Sequence, residues 1–112
     1  FKYAKDNWQK WTDESSPFNV KVNVVKVGDA VICTTPAEFY CEFGLSIKEK
    51  SPACITLVSE LTDGFVGYVA TKEAYKHGGY STWPAFGCKL TEDAGYQIVD
   101  TTEKLMKEAF KE

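Results

Sequence analysis

Apolar and polar positions alternate along Val20-Lys21-Val22-Asn23-Val24 and on to Val25 and Lys26, the two-residue period of a half-buried strand. Gly28-Asp29 then supplies a tight turn, and Ala30-Val31-Ile32-Cys33-Thr34-Thr35 follows as a β-rich run. Together they predict a β-hairpin whose second strand is the better buried. Upstream, Tyr3, Ala4, Trp8 and Trp11 fall on one side of a short helix expected over Phe1 to Trp11, with lysines and Asp6 on the other. The polar stretch from Thr12 to Pro17 connects that helix to the hairpin.

Pro36 ends the second strand and is expected to open a helix, because its fixed φ suits a first turn and its missing N–H costs nothing there. Phe39, Phe43 and Ile47 recur at four-residue steps as the inward face, and Ser51-Pro52 closes the helix. Two further β-rich runs, Cys54 to Leu61 and Phe65 to Val69, flank Thr62-Asp63-Gly64 and predict a second hairpin. Thr71 caps a brief helical turn through Tyr75, with Glu73 where the helix dipole favours an anion.

Regularity fails from Lys76 to Leu90. His77-Gly78-Gly79-Tyr80, Trp83-Pro84 and Gly87 make a glycine- and aromatic-rich loop long enough to suggest function. Thr91-Glu92-Asp93 caps a last helix, whose stripe of Ile98, Val99, Thr102, Leu105, Met106, Ala109 and Phe110 predicts docking on the sheet. The fold class expected is α+β (mixed α/β): two β-hairpins forming a sheet packed against helices, with the C-terminal helix docked on that sheet. The long apolar strands need more cover than these helices give, so a further layer from chain outside this sequence is expected.

Length and composition set the scale. At 112 residues, 44% apolar and 26% charged, residues 1–112 suit a single unit with one core. The net charge of −3 is spread without a block of basic residues that could track a phosphate backbone, which excludes nucleic acid as the expected partner. No apolar run approaches the roughly 20 residues a membrane span requires, so no transmembrane segment is expected. The sequence opens on Phe1 in what reads as the middle of a helix, and a piece of a longer polypeptide is expected. Cys33, Cys41, Cys54 and Cys88 include no close C-x-x-C pair; buried free thiols are expected, although spacing leaves a disulfide open.

Three residues stand where chemistry could be delivered. Glu38 follows a buried strand, where strand ends present side chains at the edge of α/β sheets; a glutamate there also serves simply to answer a helix dipole, for a few tenths of a kcal/mol. Tyr68 closes the fourth β-rich run after Gly67, whose lack of a side chain allows close approach. Tyr80 sits in the irregular loop, where a phenol could donate to a developing oxyanion or act as an edge aromatic. His77, the sole histidine, is too little for a zinc site or a nucleophilic dyad and is expected to be exposed. Gly78-Gly79 lacks the following Lys-Ser/Thr of a phosphate loop.

The order of Pro36-Ala37-Glu38-Phe39, Tyr68-Val69-Ala70-Thr71-Lys72-Glu73-Ala74-Tyr75, and Tyr80 followed by Ser81-Thr82 resembles the C-terminal part of the neutral/alkaline ceramidase catalytic domain. The likeness runs from about Val20 to the final helix. Gly44 to Pro52 also resembles a Gly-Leu-x-Ile-Lys-x-x-Ser-Pro run of smaller bacterial members, and differs from the arginine-rich helix of the larger ones. The resemblance implies a zinc-dependent amidase that hydrolyses N-acylsphingosines, with Glu38 and Tyr68 as metal ligands and Tyr80 as the catalytic donor to the oxyanion.

In that family two histidines complete the metal site from the N-terminal part of the domain. The resemblance therefore implies that this chain is the C-terminal portion of a larger catalytic domain and is inactive alone. Zinc would be bound by the complete parent, and weakly or not at all by these residues. The partners implied are the missing N-terminal part of the same polypeptide and a ceramide-like lipid amide, in a secreted or periplasmic setting. The alternative is a non-catalytic module that shares the fold and binds a lipid or protein through the loop from His77 to Gly87.

Overall fold

The computed structural model describes residues 19–83 and 88–111. The helix expected over Phe1 to Trp11 lies outside the described residues, as do positions 84–87 of the irregular loop.

The first hairpin forms as the alternation requires. β1 (Asn23–Val27) and β2 (Ala30–Thr34) pair antiparallel, from Asn23 opposite Thr34 to Val27 opposite Ala30. Gly28 reverses the chain at φ 59°, a conformation a Cβ disfavours. β2 is the central strand and sends Val31 and Cys33 into the core.

Beyond Thr34 the local signals are overridden. Pro36 does not open a helix; Glu38–Phe39 form a short strand, β3, and α1 (Cys41–Glu49) starts only after Tyr40. The returning chain claims the backbone here: the Val66 N–H donates to the Pro36 carbonyl at 2.8 Å, and the Glu38 N–H donates to the Gly67 carbonyl at 3.0 Å. Tertiary pairing thus satisfies groups that a helix would otherwise have used. Phe43 and Ile47 still form the buried face of α1, and Phe39 joins them from β3 with its ring 5.0 Å from that of Phe43.

The second expected hairpin is not formed. β4 (Ile55–Ser59) pairs parallel with β2, from Ala30 beside Ile55 to Thr34 beside Ser59, which makes β2, α1 and β4 a crossover unit. The turn at Thr62-Asp63-Gly64 is real, but its positive φ values, 61° at Asp63 and 140° at Gly64, carry the chain off the sheet. β5 (Tyr68–Val69) then pairs parallel with β3. The result is a mixed three-stranded sheet in the order β1-β2-β4 beside a two-stranded β3-β5 ladder, an α+β fold.

α2 (Lys72–His77) starts as expected, with the Ala74 N–H donating to Thr71 Oγ1 at 3.2 Å, and runs two residues past Tyr75. α3 (Ala94–Ala109) packs on β1 and α1 and buries Ile98, Val99, Thr102 and Met106 of the predicted stripe. With Val31, Cys33, Phe39, Phe43, Ile47, Val66 and Val69, its apolar members form one core, each large side chain contributing about 1.5–3 kcal/mol by leaving water. All four cysteines are free, but only Cys33 and Cys88 are buried. Cys41 at the start of α1 and Cys54 ahead of β4 are exposed, against the expectation of buried thiols. Among the described residues no helix is long and apolar enough to cross a membrane.

Candidate functional site

The β3-β5 ladder makes Glu38 and Tyr68 direct cross-strand neighbours. Paired positions project from the same face of a sheet, so the carboxylate and the phenol meet. The negative charge of Glu38 beside it pushes the Tyr68 hydroxyl above the usual tyrosine range. Glu38 therefore stands in a strand and not in the first turn of a helix, which removes the helix-dipole reading of this residue.

Tyr80 completes the group. Its ring lies 5.9 Å from that of Tyr68 at 78°, an edge-to-face contact, and Trp83 follows at 6.3 Å. Tyr80 is nonetheless 72% exposed and Trp83 56% exposed, so the two rings form an accessible apolar shelf beside the carboxylate. Backbone explains the placement: Gly78 at φ 71° ends α2, Gly79 takes φ 114°, and residues Tyr80–Thr82 form a 3-10 turn. The glycine pair is thus a device for steering the chain.

Tyr40 is not marked by the sequence and Ser81 only as the neighbour of Tyr80, yet the two hold this turn in place. Their hydroxyls hydrogen-bond to each other and tie the Tyr80 turn to the end of β3. A strand reading of Glu38-Phe39-Tyr40 would have found Tyr40, since positions two apart share a face. Beneath the turn, Tyr75 packs its hydroxyl 2.8 Å from Cys88 Sγ and donates to the Leu90 carbonyl at 3.3 Å, anchoring α2 to the chain that returns beside Gly67.

His77 takes no part in this group. It is exposed, and its ring pairs with Glu73 Oε1 at 3.0 Å one helical turn away. Among the described residues no cluster of three or more His, Cys, Asp and Glu side chains could hold a metal ion. A cleft of about 330 Å³ lies elsewhere, between Val20, Val22, Leu90, Gln97 and Ile98, and none of the Glu38 group lines it. Trp8 and Trp11 lie outside the described residues.

Comparison of the chain with protein-family models, with curated proteins and with solved structures returns no match. The site accordingly rests on its own geometry: one carboxylate, one phenol at the paired position beside it, and a second phenol edge-to-face with the first.

Proposed function

We propose that Glu38, Tyr68 and Tyr80 are part of the catalytic centre of a zinc-dependent amidohydrolase of the neutral ceramidase type, whose remaining ligands come from chain outside these residues. The observation that carries the reading is the register that puts Glu38 beside Tyr68, with the Tyr80 ring against Tyr68. A carboxylate and a phenol are two hard oxygen donors, half of the four-ligand shell zinc usually takes. They fit the metal as a half-site. Zinc, when bound, supplies a Lewis acid that lowers the pKa of a bound water from about 15.7 towards 7.

The chain's own residues have separable tasks in this proposal. Glu38 would bring negative charge to the metal and Tyr68 its phenolic oxygen, whose proton the nearby carboxylate makes harder to remove. The Tyr80 hydroxyl, free to approach a substrate from its exposed turn, donates to the oxyanion of an amide under attack. Tyr40 and Ser81 fix the turn that aims it.

The test uses the polypeptide that supplies the two histidines together with these residues. Bound zinc and hydrolysis of an N-acyl amide are expected, with both lost in Glu38→Ala. Tyr80→Phe should keep the metal and lose about 10²–10³ in turnover. Metal content and activity left unchanged by Glu38→Ala would end the assignment.

The exposed pair Tyr80 and Trp83 favours one other reading, a non-catalytic module that binds a lipid or protein through this aromatic shelf. Titration with an N-acyl lipid amide followed by tryptophan fluorescence separates the two: a binding signal with no hydrolysis in the histidine-bearing polypeptide supports the module.

A further inference from the structure

Little holds the Tyr80 turn to the rest of the fold. Its own hydrogen bonds are local: the Thr82 N–H and Oγ1 both donate to the Gly79 carbonyl, at 3.1 Å and 2.9 Å, and the Trp83 N–H donates to the Tyr80 carbonyl at 3.3 Å. These bonds shape the turn without placing it. Behind it, a methyl group at Gly78 or Gly79 would touch nothing, so no neighbour confines the approach from α2. Thr82 is buried and the Tyr80 ring meets Tyr68 edge-on, but apolar contacts of this kind are weakly directional. Among the described residues, one hydrogen bond joins positions 79–83 to another part of the chain, and it is the one between the Ser81 and Tyr40 hydroxyls.

The Tyr40 end of that bond is fixed. Its backbone is extended at φ −58° and ψ 137°, its N–H donates to the Val69 carbonyl at 3.1 Å, and its side chain packs against the core. Standing two residues beyond Glu38 on an extended segment, it leaves the ladder on the face that carries Glu38 and Tyr68. One short segment therefore supplies both the carboxylate of the site and the hydroxyl that locates its third member. A bond between two hydroxyls, unlike an apolar contact, fixes distance and direction together.

We propose that Tyr40 is a positioning residue, whose bond to Ser81 sets where the Tyr80 hydroxyl stands relative to Glu38 and Tyr68. It acts on turnover only through Tyr80. That effect rests on the amidohydrolase reading, and the inference deepens it by making the oxyanion donor depend on a single side-chain bond from β3's end. Removing the Tyr40 hydroxyl leaves its ring in the core and the local bonds of the turn intact, so the fold is kept and the placement of Tyr80 is lost.

Two measurements test this. In the 112-residue chain, nuclear Overhauser contacts between the Tyr68 and Tyr80 rings are expected, and Tyr40→Phe should at least halve them. Ser81→Ala should do the same, the double variant no more than either alone, and Ser81→Thr, which keeps a hydroxyl, should retain them. Should Tyr40→Phe fail to fold, Ser81→Ala carries the test. In the polypeptide that supplies the two histidines, Tyr40→Phe should lower kcat for an N-acyl amide by about 10- to 100-fold, the scale of a displaced catalytic group, with KM and zinc content unchanged. Ring contacts undiminished in both single variants overturn the proposal, whether or not the polypeptide is active. So does a kcat that Tyr80→Phe lowers and Tyr40→Phe does not. A wild-type polypeptide without zinc or hydrolysis instead ends the amidohydrolase reading, and the ring contacts still decide whether Tyr40 places Tyr80.

Discussion

Gly95 in the first turn of α3 lies directly against the ring of Phe43 in α1, and a methyl group added at Gly95 would overlap that ring. Phe43 has nowhere to retreat, since it stacks on Phe39 at 5.0 Å and meets Tyr96 edge-on at 5.1 Å. Gly95→Ala should therefore destabilise the fold by about 1–3 kcal/mol through overpacking. That loss outweighs the gain of up to about 1 kcal/mol in helix propensity. Urea unfolding reads it as a lower midpoint; a midpoint at or above wild type would show that the two helices part without cost.

Thr35 closes β2 as a buried residue whose Oγ1 has no hydrogen-bond partner among the described residues. Its backbone is fully used, the N–H donating to the Ser59 carbonyl at 3.0 Å and the carbonyl accepting from the Thr62 N–H at 3.1 Å. Thr35→Val keeps the shape and removes the unpaired hydroxyl. Stability should hold or rise by up to about 1 kcal/mol. A clear loss in thermal unfolding would mean that the hydroxyl is satisfied after all.

Glu38 raises the Tyr68 hydroxyl above its ordinary value near 10.0. Replacing it by Gln removes the charge, so Glu38→Gln should let Tyr68 ionise at lower pH, visible in the phenolate absorbance. Tyr75 is also raised, by burial first and by its bond to Cys88 second. A group whose folded pKa lies above its unfolded value stabilises fully below the unfolded value and loses that contribution as pH climbs through the folded one. The fold should thus weaken above about pH 10, and Tyr75→Phe should flatten the alkaline decline. A decline of equal slope in both proteins would count against the assignment.

The four free cysteines divide by environment. Burial pushes the Cys33 thiol up to about 11, and Cys88 is enclosed beside Tyr75. Cys41 and Cys54 are exposed, although the Glu42 side chain beside Cys41 raises its thiol. Brief alkylation of the native chain should label Cys41 and Cys54 and spare Cys33 and Cys88 until the protein unfolds. Mass spectrometry that finds Cys33 modified early would contradict the core described above.

Glu38, Tyr68 and Tyr80 are nameable from the sequence, and the family resemblance implies that they meet, but the strand pairing that brings them together is not legible in the local pattern. β3 and β5 are two residues each, too short to show a period, and each is defined only by the other. For the same reason Pro36 gave a misleading signal: its preference for a helix start is real but small beside the backbone hydrogen bonds the returning chain provides. Cys54 to Leu61 and Phe65 to Val69 looked like a hairpin because strand and turn signals sit next to each other, and neither signal states which strand will be the partner.

Local chemistry, then, was written in the residues themselves. The alternation through β1, the glycine at position 28, the threonine cap at 71 and the stripe of α3 all act within a few positions of chain, where side-chain period and backbone φ are decided. Only the folded molecule chose β2 as the neighbour of β4 and set Glu38 beside Tyr68. Those outcomes depend on which distant surfaces bury one another best, a competition over the whole chain that no single segment encodes.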